Sequence, residues 1–307
     1  MKPLVDLHRH LEGAIRPSTA HELAARSDGS RAGSGRRSDV FADPDGTGLL
    51  PYLAKIDHMT ALVRTESDWR RVTAEAIADA YDDGLTAVEL RFSPRFIHRM
   101  TGLDEDVAVE AIAQTVAESD LPIDVALIGI ILRNEGPASA VGQMAQLTRH
   151  DDVLVGVDLA GDEAGYPAEQ FEVAFRAAHD QGLHVTIHAG EAAGPESVWA
   201  ALRHLRPERI GHGVRSAEDP RLMDHLAEAG VTLEVAITSN VHTGAAASIQ
   251  DHQLTALLAG GVRVAICTDN PTVSNTRLSQ ELATATGLVG TDLAVELQTQ
   301  ADGYRFR

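Results

Sequence analysis

The sequence predicts an α/β fold, specifically a (β/α)8 barrel of the TIM type with a metal site at the C-terminal ends of its strands. Along the 307 residues, eight apolar runs with strand character recur, and each is followed by an amphipathic helical pattern. Metal-ligating side chains recur where the predicted strands end, the edge at which barrel enzymes carry their active sites. The Gly-rich phosphate-binding turn of an open doubly wound sheet is missing after the first strand. The barrel is therefore favoured over the open sheet.

The predicted strands are short and aliphatic, as expected for a parallel sheet that is covered on both faces. The first lies in the N-terminal stretch 5–13, Val-Asp-Leu-His-Arg-His-Leu-Glu-Gly. The other seven are predicted at 85–92, 123–132, 153–159, 184–188, 209–212, 231–237 and 263–268.

Helical patterns separate these strands. They are predicted at 15–25, 50–60, 66–82, 105–118, 138–148, 168–181, 195–205, 220–229, 251–259, 277–285 and 292–301. Residues 27–48 are rich in Ser, Gly, Arg and Asp, and they form the one low-complexity stretch. We interpret this stretch as a mobile surface loop near the barrel mouth, because predicted metal ligands flank it on both sides. Residues 1–307 are therefore expected to form a single domain.

The charge balance argues against several classes of partner. The chain has 26 basic and 45 acidic residues, and its formal net charge of −19 would repel the phosphate backbone of a nucleic acid. Cys267 is the only cysteine, which excludes an internal disulfide, fits a reducing compartment and is most simply a buried packing residue. No signal-peptide core and no apolar run of membrane-spanning length is present. We therefore expect a cytoplasmic protein without a nucleic-acid or membrane partner.

Two histidines in the first strand begin the argument for a metal site. Side chains on a strand alternate between its faces, so His8 and His10 point to the same side. Such a pair arises easily by chance, and a single strand histidine is more often a hydrogen-bonded core residue. However, the fifth predicted strand ends at His188, the sixth at His212 and the eighth beside Asp269. This recurrence at strand ends indicates a shared site rather than separate core histidines.

The lysines favour one metal ion over two. Barrel hydrolases with two metal ions usually bridge them with a modified strand lysine, but the only lysines here are Lys2 and Lys55, away from the middle strand ends. We therefore predict one ion with three nitrogen ligands and one oxygen ligand, a set that suits zinc and leaves a position for water. The predicted ligands are His8, His10, His188 and Asp269.

The segments that carry these residues resemble the adenosine deaminase family of metal-dependent amidohydrolases, in its bacterial form. The similar segments are 6–17, 88–94, 158–163, 188–197, 209–213, 238–240 and 268–269. They extend from the first predicted strand to just beyond the eighth. No single segment is specific to the family, but their combination is.

The resemblance implies a role for each matching position. The four predicted metal ligands match the zinc ligands of the family. Glu191 matches the acid that delivers a proton to a ring nitrogen of the purine, and His212 matches the residue that takes a proton from, and orients, the attacking water. Gly161 matches a backbone donor to the purine ring, and Glu12 stands where the family holds a ribose hydroxyl. The implied substrate-facing positions are His10, Glu12, Gly161 and Asn270.

Two positions depart from the family pattern and concern the choice of substrate. Asn270 replaces a second aspartate that contacts the imidazole part of the purine, although an amide can still donate a hydrogen bond there. Glu12 is one methylene longer than the usual aspartate.

The resemblance implies hydrolytic, zinc-dependent deamination of a small-molecule purine nucleoside, most simply adenosine to inosine. The alternatives are deamination of a modified adenine nucleoside or of a free aminopurine base. An alternative of a different class is a purine-nucleoside-binding protein that has lost turnover.

Overall fold

The computed structural model describes residues 3–26, 37–43 and 48–307, and it confirms the predicted barrel. Eight strands form one sheet in which each strand pairs with the next in chain order, and every pairing is parallel. The strands are β1 Val5–His10, β2 Ala87–Phe92, β3 Asp124–Leu132, β4 Leu154–Ala160, β5 His184–Ala189, β6 Arg209–His212, β7 Thr232–Val235 and β8 Arg263–Ile266.

Backbone hydrogen bonds between the end of β1 and the segment after β8 close the barrel. The N–H of His10 donates to the carbonyl of Asp269, and the N–H of Asp269 donates to the carbonyl of His8, both at 2.8 Å. Arg9 and Asp269 form the corresponding parallel bridge. The closure therefore brings the end of β1 and the residues after β8 side by side.

Helices surround the strands in the described residues. They are α1 Pro17–Arg26, α2 Arg37–Val40, α3 Leu49–Thr60, α4 Glu66–Asp82, α5 Pro94–Thr101, α6 Glu105–Ala117, α7 Gly136–Leu147, α8 Glu172–Asp180, α9 Pro195–Ala200, α10 Pro220–Ala229, α11 Ile237–His242, α12 Leu254–Ala259, α13 Leu278–Val289 and α14 Thr291–Ala301. None of the described helices is both long and apolar enough to cross a bilayer. Within the predicted loop 27–48, residues 27–36 and 44–47 lie outside the described residues, and α2 occupies part of the remainder.

Two short helices differ from the sequence prediction. Helix α5 follows β2 directly, where Ser93 accepts a hydrogen bond from the N–H of Phe96 and Pro94 occupies the first turn. Helix α11 begins at Ile237, which the sequence pattern assigns to the end of the seventh strand. Both helices are too short for an apolar period to identify them.

An apolar layer fills the space between the strands and the helices. Val88 and Leu90 of β2 belong to the same buried cluster as Trp69 of α4 and Ile112 of α6. This arrangement follows from the alternation of strand side chains, which sends every second residue of β2 outward. Cys267 is fully buried in a smaller apolar cluster, so the predicted packing role of this residue is confirmed.

Charged residues, rather than the aliphatic layers usual in such barrels, fill much of the interior. Arg91 donates to Asp158 at 2.8 Å and to Glu234 at 2.9 Å, and Arg209 pairs with Glu234 at 2.7 Å and also with Glu89. All five side chains are almost fully buried. Two cations face three carboxylates, so the pairs stabilise one another but leave an excess of one negative charge.

Candidate active site

Four side chains converge at the C-terminal mouth of the barrel. Nε2 of His10 lies 3.2 Å from Nε2 of His8 and 3.2 Å from Nε2 of His188. Oδ1 of Asp269 lies 3.2 Å from His10 and 3.4 Å from His8. The structure thus brings together all four residues that the sequence predicts as metal ligands, with their ligand atoms within 4.8 Å of one another.

Two buried carboxylates orient the histidine rings from behind. Nδ1 of His8 lies 2.8 Å from Oε2 of Glu234, and Nδ1 of His188 lies 3.0 Å from Oδ2 of Asp158. Since a carboxylate accepts, each Nδ1 carries a proton and each Nε2 presents its lone pair to the centre of the cluster. The interior ion pairs therefore determine which ring nitrogen is available to bind a metal ion.

The geometry and charge of the cluster fit a divalent cation. Ligand atoms of a tetrahedral zinc site with bonds of about 2.0–2.1 Å lie about 3.3–3.4 Å apart. Four of the six separations in this cluster are 3.2–3.4 Å, and all six are within 4.8 Å. Nitrogen lone pairs this close repel each other unless a cation lies between them. The carboxylates of Asp269, Glu234 and Asp158 all lie against these rings and place negative charge around the cluster.

The surroundings favour the ligand forms of three of the four groups, whereas at His8 the hydrogen bonds to Asp269 and Glu234 outweigh burial and raise the pKa. Desolvation lowers the pKa of His188 and holds the pKa of His10 well below its ordinary value, so both rings are neutral near pH 7. Burial opposes the ionisation of Asp269, yet its hydrogen bond to His8 and the nearby imidazoles hold the pKa of its carboxyl well below the usual range. Neutral imidazole and ionised carboxylate are the forms that bind metals.

Two of the residues at the strand ends adopt a left-handed backbone conformation. His212, at the end of β6, has a φ of 62°, and Asp269, after β8, has a φ of 63°. Most L-residues avoid this region. At His212 the turn coincides with the end of β6, whereas Asp269 lies three residues beyond Ile266, the last residue of β8.

Glu191 is the acidic group beside the cluster. It lies in the loop after β5, is 8% exposed, and its Oε2 is 3.6 Å from Nε2 of His212. Burial, aided by the charge of Asp269, raises the pKa of Glu191 to about 8. The carboxyl is therefore largely protonated at neutral pH, which is the form that can donate a proton.

The loop that carries Glu191 is anchored by Glu163. One buried carboxylate accepts hydrogen bonds from four successive backbone N–H groups, those of Gly190, Glu191, Ala192 and Ala193, at 2.6–3.1 Å. Such a ring of amides stabilises an anion and fixes the backbone at the same time. Glu163 thus fixes the backbone from which the Glu191 side chain extends.

A cavity of about 220 Å³ opens above these groups. Helices α3 and α5, neither of which the sequence places at the mouth, contribute apolar walls through Leu53, Ile56 and Phe96. The polar floor is formed by His10, His188 and Asp269 of the cluster together with Glu191 and His212. The cavity therefore suits a small molecule with an apolar face and a polar, reactive edge.

The remaining predicted substrate positions also line the cavity. Glu12 accepts from the N–H of Ser93 at 2.8 Å through one oxygen, its other oxygen has no hydrogen-bond partner, and burial raises its pKa to about 7. Gly161 has a φ of 116°, and a Cβ there would lie 2.1 Å from Oδ1 of Asn134, so only glycine fits. Asn270 donates to Asp269 at 2.7 Å, and its own oxygen has no partner.

A sequence profile described as adenosine deaminase matches residues 3–302. The chain belongs to the adenosine deaminase family. Adenosine deaminase from Klebsiella pneumoniae strain 342 is 40% identical over 306 residues, which cover 98% of this chain and 92% of that protein. The match therefore includes every candidate site residue described above.

Solved structures of related proteins share the fold. The adenine deaminase from Arthrobacter aurescens gives a TM-score of 0.91 at 26% identity, covering 100% of this chain and 94% of that one. An amidohydrolase from Burkholderia ambifaria, with bound Zn, gives a TM-score of 0.87 at 25% identity, covering 100% and 86% respectively. The adenosine deaminase family is metal-dependent, and the cluster in this chain can hold a metal ion.

Three carboxylates of this deaminase-family site are not identified by the sequence reasoning. Asp158 and Glu163 lie in a segment that carries the resemblance, but the sequence alone gives no indication of what they contact. Glu234 carries a detectable signal, because it is a charged residue in the middle of the apolar run 231–237. A buried charge in a strand requires a partner, but the pattern does not say that the partners are His8 and Arg91.

The anchoring role of Glu163 gives a stability prediction. Glu163→Gln is expected to lower the free energy of unfolding by about 2 kcal/mol, because the amide offers one acceptor oxygen and turns an NH2 group towards backbone donors. Urea unfolding measures the change. Glu169→Gln, at an exposed position a few residues later, is the control. Equal unfolding midpoints for the two variants would show that Glu163 does not hold the loop.

Proposed function

We propose that this member of the adenosine deaminase family catalyses the hydrolytic deamination of an aminopurine, most simply adenosine. As a hydrolase acting on a carbon–nitrogen bond of a cyclic amidine, it would use one water to convert adenosine into inosine and ammonia. The observation that carries the proposal is the buried Glu191 carboxyl, whose pKa burial raises to about 8 and which lies 3.6 Å from His212 beside a cluster of metal-ligand atoms. An acid and a metal site on the floor of one small cavity are what this addition requires.

We further propose that the metal is a single zinc ion held by His8, His10, His188 and Asp269. The convergence of their ligand atoms and the carboxylates around them support this assignment. Held by these residues, a zinc ion would lower the pKa of water towards neutrality and would so supply a nucleophile. The lone cysteine and the net charge of −19 support a cytoplasmic location and a small-molecule purine, not a nucleic acid, as the partner.

The remaining roles in the reaction belong to residues of the protein itself. Glu191 donates its proton to a ring nitrogen of the purine, which makes the neighbouring ring carbon electron-poor. His212 lies across from it and orients the water that adds to this carbon. Gly161 leaves room for the ring to approach the backbone, while Glu12 and Asn270 contact the rest of the substrate. The apolar walls hold the face of the purine.

Mixing zinc-loaded protein with adenosine tests the proposal directly. We expect stoichiometric ammonia release together with loss of the adenine chromophore. Inosine as product would establish both the reaction and the substrate. Tight binding of adenosine without ammonia release, in metal-replete protein, would instead support a non-catalytic purine-binding role.

Glu12 gives a specific reason to keep a second substrate under test. Its carboxyl extends one methylene further into the cavity than an aspartate would, on the side proposed for the sugar. The neighbouring structure from Arthrobacter aurescens is named an adenine deaminase. Free adenine and substituted adenine nucleosides therefore belong in the substrate panel, and a higher kcat/KM on any of them than on adenosine would replace adenosine as the substrate.

Asn270→Asp restores the aspartate that the resemblance implies at this position, and it is expected to raise kcat/KM for adenosine about 10-fold, because a carboxyl can share a proton with the imidazole nitrogen of the purine. Asn275→Asp introduces the same charge at an exposed position of the same loop and serves as the control. Steady-state kinetics on adenosine and adenine measures the effect. Unchanged kinetics in Asn270→Asp would show that this position does not determine specificity.

The pH dependence follows from the raised pKa of Glu191. The mechanism needs the protonated carboxyl, which is present below its pKa and lost above it. We therefore expect kcat/KM to decline on the alkaline side with an apparent pKa of about 8. A profile measured from about pH 6 to about pH 10 that shows no alkaline limb would remove Glu191 as the proton donor.

A further inference from the structure

A chain of hydrogen bonds leads from the backbone of residue 254 to the ring of His212. The N–H of Leu254 donates to Nδ1 of His252 at 3.0 Å, and Nε2 of His252 lies 3.2 Å from Oδ1 of Asn240. Nδ2 of the same amide lies 2.9 Å from Nδ1 of His212. His212, Asn240 and His252 are all buried, so each contact is made in the protein interior.

The direction of every bond in this chain is fixed by its first link. A backbone N–H only donates, so Nδ1 of His252 accepts and carries no proton. Burial lowers the pKa of His252 to about 4, so near pH 7 the ring is neutral and its one proton lies on Nε2. That N–H donates to the amide oxygen of Asn240. The NH2 group of Asn240 must therefore face His212.

The ring nitrogen of His212 that faces this NH2 group must accept the hydrogen bond through its lone pair. Nδ1 of His212 accepts from Asn240 and so has no room for a proton, which leaves Nε2 as the protonated nitrogen of the ring. We propose that Asn240 and His252 are positioning residues that hold His212 as the Nε2–H tautomer, which donates a hydrogen bond to the water oxygen that adds to the purine. The catalytic part of this inference rests on the proposed function.

This polarity differs from the one implied by the resemblance, in which His212 takes a proton from the water. For Nε2 to accept, the ring proton would have to lie on Nδ1, directly opposite the NH2 group of Asn240. A donor at Nε2 instead stabilises the negative charge that the oxygen carries once the water has lost its proton, and it fixes the position of that oxygen beside the ring carbon. The proton leaves by another route, since a metal ion held by the cluster would lower the pKa of the water enough for the proton to pass to solvent. His212 therefore orients the nucleophile and does not deprotonate it.

Neutron diffraction from deuterium-exchanged, zinc-loaded protein reads the proton positions without any substitution. We expect a deuteron on Nε2 of His212, none on its Nδ1, and a deuteron on Nε2 of His252. A deuteron on Nδ1 of His212, alone or on both nitrogens, would overturn the assignment. The proton positions can be determined whether or not the protein is active. If the wild-type protein showed no activity, the proposed function and the catalytic role of His212 would be rejected, but the tautomer would still be known.

Kinetics of an Asn240→Asp variant tests the catalytic consequence. A carboxylate accepts from both histidines and so moves the proton of His212 to Nδ1, which removes the donor at Nε2. We expect kcat to fall about 100-fold with little change in KM, and an unchanged or higher kcat would show that His212 acts as an acceptor. Gln143→Glu, which also buries a new carboxyl, controls for folding effects.

Two variants of His252 separate the relay from simple packing. His252→Gln can still accept from the N–H of Leu254 and donate to Asn240, so we expect a kcat within a few-fold of the wild type. His252→Leu fills the space but leaves the side-chain amide of Asn240 free to rotate and exchange its oxygen and nitrogen. We therefore expect kcat to fall about 10-fold. Equal values of kcat for the two variants would overturn the role of His252.

Discussion

Replacing Glu191 by glutamine is expected to lower kcat on adenosine by about 10³-fold, because general acid catalysis contributes about 10²–10⁴-fold and the amide has no proton to give. The substitution keeps the shape of the side chain and touches none of the four proposed metal ligands. Zinc content, measured by mass spectrometry of the purified protein, should therefore match the wild type. Loss of activity with retained metal would separate proton donation from metal binding.

Glu196→Gln provides the matched control for this experiment. Glu196 is exposed, follows Glu191 by five residues, and one of its oxygens accepts a hydrogen bond from the N–H of Gly194. Its variant should turn over adenosine at close to the wild-type rate. A Glu191→Gln protein as active as this control would show that the proton comes from another group.

The second large effect is expected from His8→Ala. His8 is fully buried and contributes one of the converging ring nitrogens, while its other nitrogen is held by Glu234. Removing a group that merely orients a ligand costs about 10–100-fold in metal affinity, so removing a ligand should cost at least that much. We expect sub-stoichiometric zinc after dialysis, and at least a 100-fold loss of activity.

His21→Ala, on the exposed face of α1, controls for the loss of an imidazole. Competition with a zinc-sensitive dye gives the affinity of each variant. The His8→Ala substitution also removes one hydrogen bond from the buried carboxylate of Glu234, so thermal unfolding of the variant should be measured as well. Full zinc stoichiometry in His8→Ala at wild-type affinity would contradict its role as a ligand.

The barrel and the convergence of the four candidate metal ligands could be predicted from the sequence because both depend on local periodicity. Eight alternations of strand and helix pattern specify the topology, and the C-terminal ends of the strands then meet at one edge. The spacing of His8 and His10 places both rings on one face of β1. His188 and Asp269 needed only the assumption that the ends of β5 and β8 lie at the same mouth.

The supporting residues could not be predicted because their partners are remote in the chain. Glu234 contacts Arg91, 143 residues away, and Glu163 contacts the loop after β5, almost 30 residues later. Such pairings follow from the register of the closed barrel, which no local pattern encodes. The walls of the cavity were missed for another reason, since α5 is a short helix that begins immediately after a strand.

The backbone at His212 and Asp269 has a consequence for how this protein tolerates change. A left-handed conformation costs a typical L-residue about 1–2 kcal/mol relative to glycine, and both residues accept it at the ends of their strands. A redesign that optimises folding stability alone would favour glycine or asparagine at His212. The proposed chemistry of His212 and the conformational preference of the fold therefore oppose each other at this position. Engineering that aims at stability should leave both positions unchanged. Substitutions there are expected to raise stability and lower activity together.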